Sequence, residues 1–134
     1  MTDIDLNSFR EFDRSATDLY ESCPLLLRER PVITVMIGWH GLIADCFADL
    51  QEVLKVAKLP ADKELAPRIV DIKEKYGSLR ILLSGFVLDD EKNEQIMDII
   101  SHYEDLSMRV CETCGKPGKL TRKGWIKTSC EMHK

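Results

Sequence analysis

Four side chains near the C-terminal end constrain this chain more than anything else in it. Cys111 and Cys114 are separated by two residues, Cys130 and His133 by another two, and fifteen residues lie between the pairs. Two residues between sulfur ligands let one tight turn aim both at a single point. Gly115, after the second Cys, permits the left-handed residue that closes such a turn. Pro117-Gly118 and Gly124 flank short polar and apolar arms, enough for a small hairpin that brings the chain back to the first pair. Three thiolates and an imidazole suit zinc better than magnesium or calcium. All four tetrahedral positions are filled by protein, which leaves none open for water. The expectation is therefore a structural Zn²⁺, one per chain, on Cys111, Cys114, Cys130 and His133. The competing reading is a chance cluster of free thiols, and the paired spacings argue against it.

Charge divides the chain at the same place. Residues 1–108 carry a balance of −9, whereas residues 109–134 carry +5, together the chain's −4. The expected organisation is an acidic body over 1–108 and a basic zinc ribbon over 109–134, a split that often marks a division of labour. The 134 residues are enough for one genuine core. No apolar run approaches the ~18–20 residues of a spanning helix. The opening Met-Thr-Asp-Ile-Asp-Leu is acidic where a secretion signal would be basic and then apolar. Five cysteines, an odd count, argue against a disulfide framework. A cytoplasmic protein without membrane contact is expected.

The body predicts an α+β fold of helices and a hairpin. Phe9, Phe12, Ala16, Leu19, Tyr20 and Cys23 recur at helical spacing, which predicts a helix over 7–21 stopped by Pro24. The β-branched run 32–37 is either a strand or the lead-in to the next helix, and Gly38 punctuates it. From Trp39 through Leu42, Ile43, Cys46, Phe47, Leu50, Val53, Leu54 and Ala57 the apolar positions keep helical phase, the strongest periodic signal in the chain. Two β-rich arms flank Tyr76-Gly77 within 67–85, which predicts a hairpin, although Tyr-Gly is a weaker turn signal than Asn-Gly. Asp89, Asp90 and Glu91 suit the start of a third helix, with Ile96, Ile99, Ile100, Tyr103 and Leu106 as its buried stripe.

Few residues outside the ribbon look chemical. His40 with Cys46 resembles a nucleophile pair, but Cys46 keeps phase with Leu42, Ile43 and Leu50 and reads as a small core hydrophobe. Asp45, Asp49 and Glu52 form a carboxylate row of the kind that is usually the solvated side of a helix. His102 has no obvious acid partner. Nucleophile elbows, phosphate loops and His-Glu-x-x-His motifs are all missing, so a small enzyme using His40 and the nearby acids is the least favoured reading. Within the tail, Lys119, Arg122, Lys123, Trp125 and Lys127 are the candidate contacts. An indole among cations can stack a base and meet phosphates. The alternative, favoured because so small a ribbon needs some core, is that Trp125 covers the zinc knuckle.

Several stretches together resemble a known group. Gly38-Trp39-His40-Gly41-Leu42-Ile43, Ile72-Lys-Glu-Lys-Tyr-Gly-Ser-Leu-Arg80, Cys111-Glu-Thr-Cys-Gly-Lys-Pro-Gly118 and Gly124-Trp125-Ile-Lys-Thr-Ser-Cys130-Glu-Met-His133 are similar to small uncharacterised proteins of phages, prophages and bacteria. In that group a Gly-Trp helix precedes a Lys-Phe-Gly-x-Leu-Arg hairpin and a C-terminal zinc ribbon. The resemblance spans about residues 24–133, with Tyr76 where Phe is usual, and does not reach the N-terminal helix. It implies a phage or mobile-element setting and no particular activity. The expected function is a non-enzymatic, zinc-binding interaction protein that acts on a host macromolecule, for example as inhibitor or modulator of a host system such as defence. The acidic body repels a duplex and points to a host protein as partner. A nucleic-acid-binding accessory or regulatory protein, using the basic hairpin, is the alternative.

Overall fold

Apolar periodicity decides where the helices of the body form, and the turns decide how they are joined. The computed structural model describes residues 16–134. Helix α1 is Ala16–Ser22, the end of the predicted N-terminal helix; the rest of that prediction, with Phe9 and Phe12, lies outside the described residues. A two-residue strand β1, Ile33–Thr34, leads into a 3₁₀ turn at Ile37–Trp39 and then helix α2, His40–Val56. So the ambiguous run 32–37 is partly strand and partly lead-in. Strands β2 (Arg68–Lys75) and β3 (Ser78–Ser84) form the hairpin, and helix α3 is Asp90–Ser107. The tail contributes β4 (Lys119–Thr121), β5 (Lys127–Ser129) and a closing 3₁₀ turn at Glu131–His133. The chain is thus α+β, as its patterning predicts.

The first sheet has the order β1-β2-β3, with β1 parallel to β2 and β2 antiparallel to β3. At the hairpin turn Tyr76 and Gly77 both have left-handed φ, +52° and +80°. A two-residue turn that follows the strand twist needs this pair of conformations. Gly77 N–H donates to the Glu74 carboxylate at 2.6 Å, which holds the turn closed.

The helices cover one face of this sheet. Leu42, Ile43, Cys46, Phe47, Leu50 and Leu54 of α2 are buried with Ile96, Ile100, Tyr103 and Leu106 of α3 and with Ile69, Ile72, Leu79 and Ile81 of the hairpin. Val70, Arg80 and Leu82 point to the opposite, exposed side. Asp89 caps α3 by accepting the Glu91 N–H at 3.0 Å, the role its position before the helix predicts.

Two further contacts finish the body. Strand β3 is an edge, and an unpaired edge invites other strands. Here α3 blunts it: Leu79 N–H donates to Ser107 Oγ at 2.9 Å and Ile81 N–H to Glu104 Oε2 at 3.0 Å. Arg28, in what reads from sequence as a polar link, donates to the carbonyls of Leu25, Lys63, Ala66 and Pro67. It thereby pins the loop that precedes β2.

Leu50 is fully buried in the middle of the α2 stripe. Truncation there leaves a cavity, so Leu50→Ala should destabilise the protein by about 2–5 kcal/mol. Urea denaturation measures this, and an unchanged midpoint would contradict the packing described.

Candidate metal centre

The local geometry of the tail follows from three tight turns. After α3 the chain makes an isolated bridge between Val110 and Pro117, which brackets the first Cys pair. Inside it, Gly115 N–H donates to the Cys111 carbonyl at 2.9 Å, and Cys111 N–H donates to the Lys116 carbonyl at 2.8 Å. Gly115 carries the left-handed φ of +81° that this knuckle needs. The β4–β5 hairpin returns the chain, and His133 N–H donates to the Cys130 carbonyl at 3.1 Å, folding the second pair into one turn.

These turns bring Cys111, Cys114, Cys130 and His133 together, with one donor atom from each lying within 4.8 Å of every other. The Cys130 sulfur is 3.2 Å from His133 Nδ1, the Cys111 sulfur 3.8 Å from the same nitrogen, and the Cys114 and Cys130 sulfurs 3.7 Å apart. Cys111 is buried and the other three are half-buried. Burial pushes the Cys111 thiol up, but the N–H groups of Cys130, Cys114 and Thr113, with the Cys114 thiol, outweigh it and hold Cys111 down at about 6. Burial pushes Cys114 up to about 11, and the neighbouring Cys111 and Cys130 add to the rise against the Lys116 N–H. Thiols at such close range do not readily carry negative charge together. A donor set of this kind is completed by a cation, and the four residues can hold a metal ion.

What the sequence does not reveal is how the tail is seated on the body. Gly38, ahead of α2, lies against the knuckle: its N–H donates to the Glu112 carbonyl at 2.8 Å. A Cβ on Gly38 would sit 2.5 Å from the Glu112 carbonyl carbon and closer still to the carbonyl oxygens of Cys111 and Glu112. Next to it, the fully buried Trp39 donates from Nε1 to the Val110 carbonyl at 2.7 Å. At the other end of the contact, Thr128 Oγ1 donates to the Gly77 carbonyl at 2.7 Å, and Gly77 faces Leu120 and the Lys127 backbone. The Gly-Trp and Tyr-Gly motifs are the two sockets of the tail.

Glu112 links the two. Its carbonyl accepts from Gly38, its N–H donates to the Thr128 carbonyl at 3.0 Å, and its carboxylate accepts the Thr128 N–H at 2.7 Å. It is buried, and burial raises its carboxyl above the ordinary range while the Thr128 N–H works against that rise. From sequence alone Glu112 is only one of two acids in a basic tail; its place between the metal ligands was the available signal.

The expectation for Trp125 is overturned. It is 77% exposed and covers nothing. The ribbon does not need the indole as its core because it borrows one from the body, with Leu120 against Gly77 and Thr128 buried beneath the hairpin turn. Arg122, Lys123, Trp125 and Lys127 line one groove, whereas Lys119 stands outside it at the start of β4. Lys127 Nζ donates to the His133 carbonyl at 2.8 Å, so it also supports the ligand turn.

Three of the other sequence candidates, Cys46, Asp49 and Glu52, are engaged in packing and pairing, whereas the buried His102 Nε2 has no hydrogen-bond partner among the described residues. Cys46 is fully buried, and burial first, then the nearby carboxylates, pushes its thiol up. Asp49 accepts from the Tyr103 hydroxyl at 2.6 Å, and Glu52 pairs with Lys55 at 2.9 Å. His40 and Asp45 are half-buried on α2. His102 lies on α3 in a groove with Asp98 and Asp105. Compared with known protein families, with curated proteins and with solved structures, the chain matches none.

The Gly38 socket generates a sharp expectation. The Cys111–Glu112 backbone leaves no room for a methyl group, so Gly38→Ala should push the knuckle off α2, lowering both the melting temperature and the metal affinity. Thermal denaturation with and without chelator checks it. A variant with wild-type values for both would show that the contact is dispensable.

Proposed function

We propose that this chain is a non-enzymatic binding protein whose tail is built on a structural zinc. The single observation that carries the reading is the four-donor cluster itself. A zinc tetrahedron with bonds of about 2.3 Å to sulfur and about 2.0 Å to nitrogen has edges of roughly 3.5–3.8 Å; three of the donor separations, 3.2, 3.7 and 3.8 Å, lie near that range, and all of them lie within 4.8 Å. Cys111, Cys114, Cys130 and His133 would hold the ion, with the second-layer support of backbone N–H groups and of Lys127 on the last turn. Zinc here supplies cross-linking rather than Lewis-acid chemistry, because four protein donors fill its coordination.

The non-catalytic reading is supported by the engagement of Cys46, Asp49 and Glu52 in packing and pairing. The contact surface is the exposed tip of the tail, where Trp125 stands among Arg122, Lys123 and Lys127. The resemblance to small phage, prophage and bacterial proteins supports a mobile-element origin. In that setting the partner is a host macromolecule, and inhibition or modulation of a host system, defence included, is the specific form of the reading. Reduced thiols suit the cytoplasm. No helix among the described residues is long and apolar enough to cross a membrane. A second reading, a nucleic-acid-binding accessory protein, is favoured by one observation: the exposure of Trp125 beside cations.

Elemental analysis of dialysed protein should give one zinc per chain, and acidification should release it, since protons compete for thiolate and imidazole ligands. Substoichiometric metal in folded protein would defeat the zinc reading. Partner capture by tagged protein from the host cell tests the surface. A triple variant Arg122→Ala, Lys123→Ala, Trp125→Ala should keep zinc and melting temperature yet lose the partner; Lys127 is spared because it supports His133. Undiminished capture would move the contact to the acidic body.

A further inference from the structure

Resting on the reading of the tail's tip as a contact surface, we propose that its ligand is single-stranded nucleic acid. An unpaired base stacks in a cleft shared by Tyr76 of the body hairpin and Trp125 of the tail, and the adjoining phosphates lie on Arg122 and Lys123.

The cleft belongs to neither part alone. Tyr76 and Trp125, 67% and 77% exposed, line one groove of about 340 Å³ with Lys75 and Ile126. The indole is also a wall of a second groove of about 620 Å³, which carries Arg122 and Lys123. Planar rings thus front one groove and cations the other, with Trp125 common to both. A strand that stacks a base in the first can run its backbone through the second. This combination of stacking faces and a basic track is how sequence-tolerant single-strand binders work.

Tyr76 is an independent observation. It sits at the first left-handed position of a two-residue turn, φ +52°, where Asn or Gly would be the unstrained choice. Strain of this kind is ordinarily offset by burial, but this ring is mostly exposed, with only Lys75 Nζ over it at 5.9 Å. The turn requires the conformation but not the ring, and non-glycine residues held in it cluster at ligand sites.

The charges around the cleft complement a polyanion. Among the described residues Lys75, Arg122 and Lys123 have no ion-pair partner, whereas Lys134 pairs with Glu131 at 2.8 Å and Lys127 is held by His133. Glu74, the acid of the first groove, already accepts from Gly77 N–H. A duplex hides its base faces and would bring a rigid polyanion toward a body of net −9; a single strand exposes its bases and can bend away from that body. An acidic peptide would satisfy the cations but would leave two aromatic planes without a planar partner.

The zinc-loaded full-length protein is titrated with oligo(dU), oligo(U) and a duplex, each about 12 nucleotides long, within the ~4–16 nucleotides typical of single-strand sites. Fluorescence anisotropy of end-labelled oligomers gives the affinity of every variant, including the one without the indole; in the wild type, quenching of the exposed Trp125, with Trp39 fully buried, reports stacking. Single strands should bind at least ~10-fold more tightly than duplex, and the tighter of the two single-strand arms identifies the sugar. Trp125→Ala and Tyr76→Asn should each weaken binding about 10-fold, the Asn being chosen because it tolerates the left-handed turn. Arg122→Ala and Lys123→Ala should each reduce the salt dependence by about 0.7 in log–log slope. All four variants should retain zinc and none should melt below the wild type; Tyr76→Asn, relieved of the left-handed strain, should melt at the same temperature or higher. Preference for duplex, no binding to any oligomer, or single-strand binding that survives both aromatic changes would overturn the inference. Capture of a host protein that depends on Trp125, with no oligomer bound, would overturn it too while leaving the tip as a contact surface; capture independent of Trp125 would remove that reading as well.

Discussion

The close approach of Gly38 to the knuckle at Cys111 and Glu112 is the contact on which the remaining architecture depends. Only a residue without a side chain lets two backbones meet at this separation, and the meeting is what seats a short, polar tail on an apolar body. Everything else in the seam is aligned by it. Trp39 is carried to within 2.7 Å of the Val110 carbonyl, and Glu112 is placed so that its carboxylate reaches Thr128. Thr128 in turn reaches the Gly77 carbonyl at the far end. A buried indole or carboxylate left without its partner would cost about 1–3 kcal/mol or more, so the seam holds as a set.

Magnitudes clarify what a metal would contribute. Structural zinc in small peptides is worth about 10–16 kcal/mol at neutral pH, comparable with the whole net stability of a domain, about 5–15 kcal/mol. Because the ligands share backbone segments with the seam, binding free energy at Cys111 would be felt at Gly38 and Trp39. The tail would then be less an appendage than a clasp. This arrangement also frees the tip: with ligands and seam providing rigidity, the loop between β4 and β5 can display Arg122, Lys123 and Trp125 without having to bury them. Exposure of the indole and a body-supplied core are two consequences of one docking.

Much of the body was legible because local sequence encodes local geometry. The stripe from Leu42 to Leu54 announces α2, Asp89 announces the start of α3, and Tyr76-Gly77 announces the hairpin. The four metal donors were equally legible, since a two-residue spacing is itself a statement about one turn. Less legible were residues whose role lies in a distant segment. Arg28 looks like part of a polar link until the carbonyls of the Lys63–Pro67 region are brought to it. Glu104 and Ser107 look like ordinary helix surface until the edge of β3 arrives beside them.

The amino-acid sequence by itself therefore determined the α+β class, the helices and hairpin, the division of charge and the Cys3His set, all of which rest on interactions within a few residues. The tertiary structure alone decided that Gly38 and Gly77 are sockets, that Glu112 is the link between them, and that Trp125 faces outward next to Tyr76. These depend on contacts across 71 and 51 residues of chain, Trp39 to Val110 and Gly77 to Thr128. No spacing rule reaches that far. A glycine reads the same in sequence whether it bends a turn or makes room for another backbone, and only the path of the whole chain distinguishes the two.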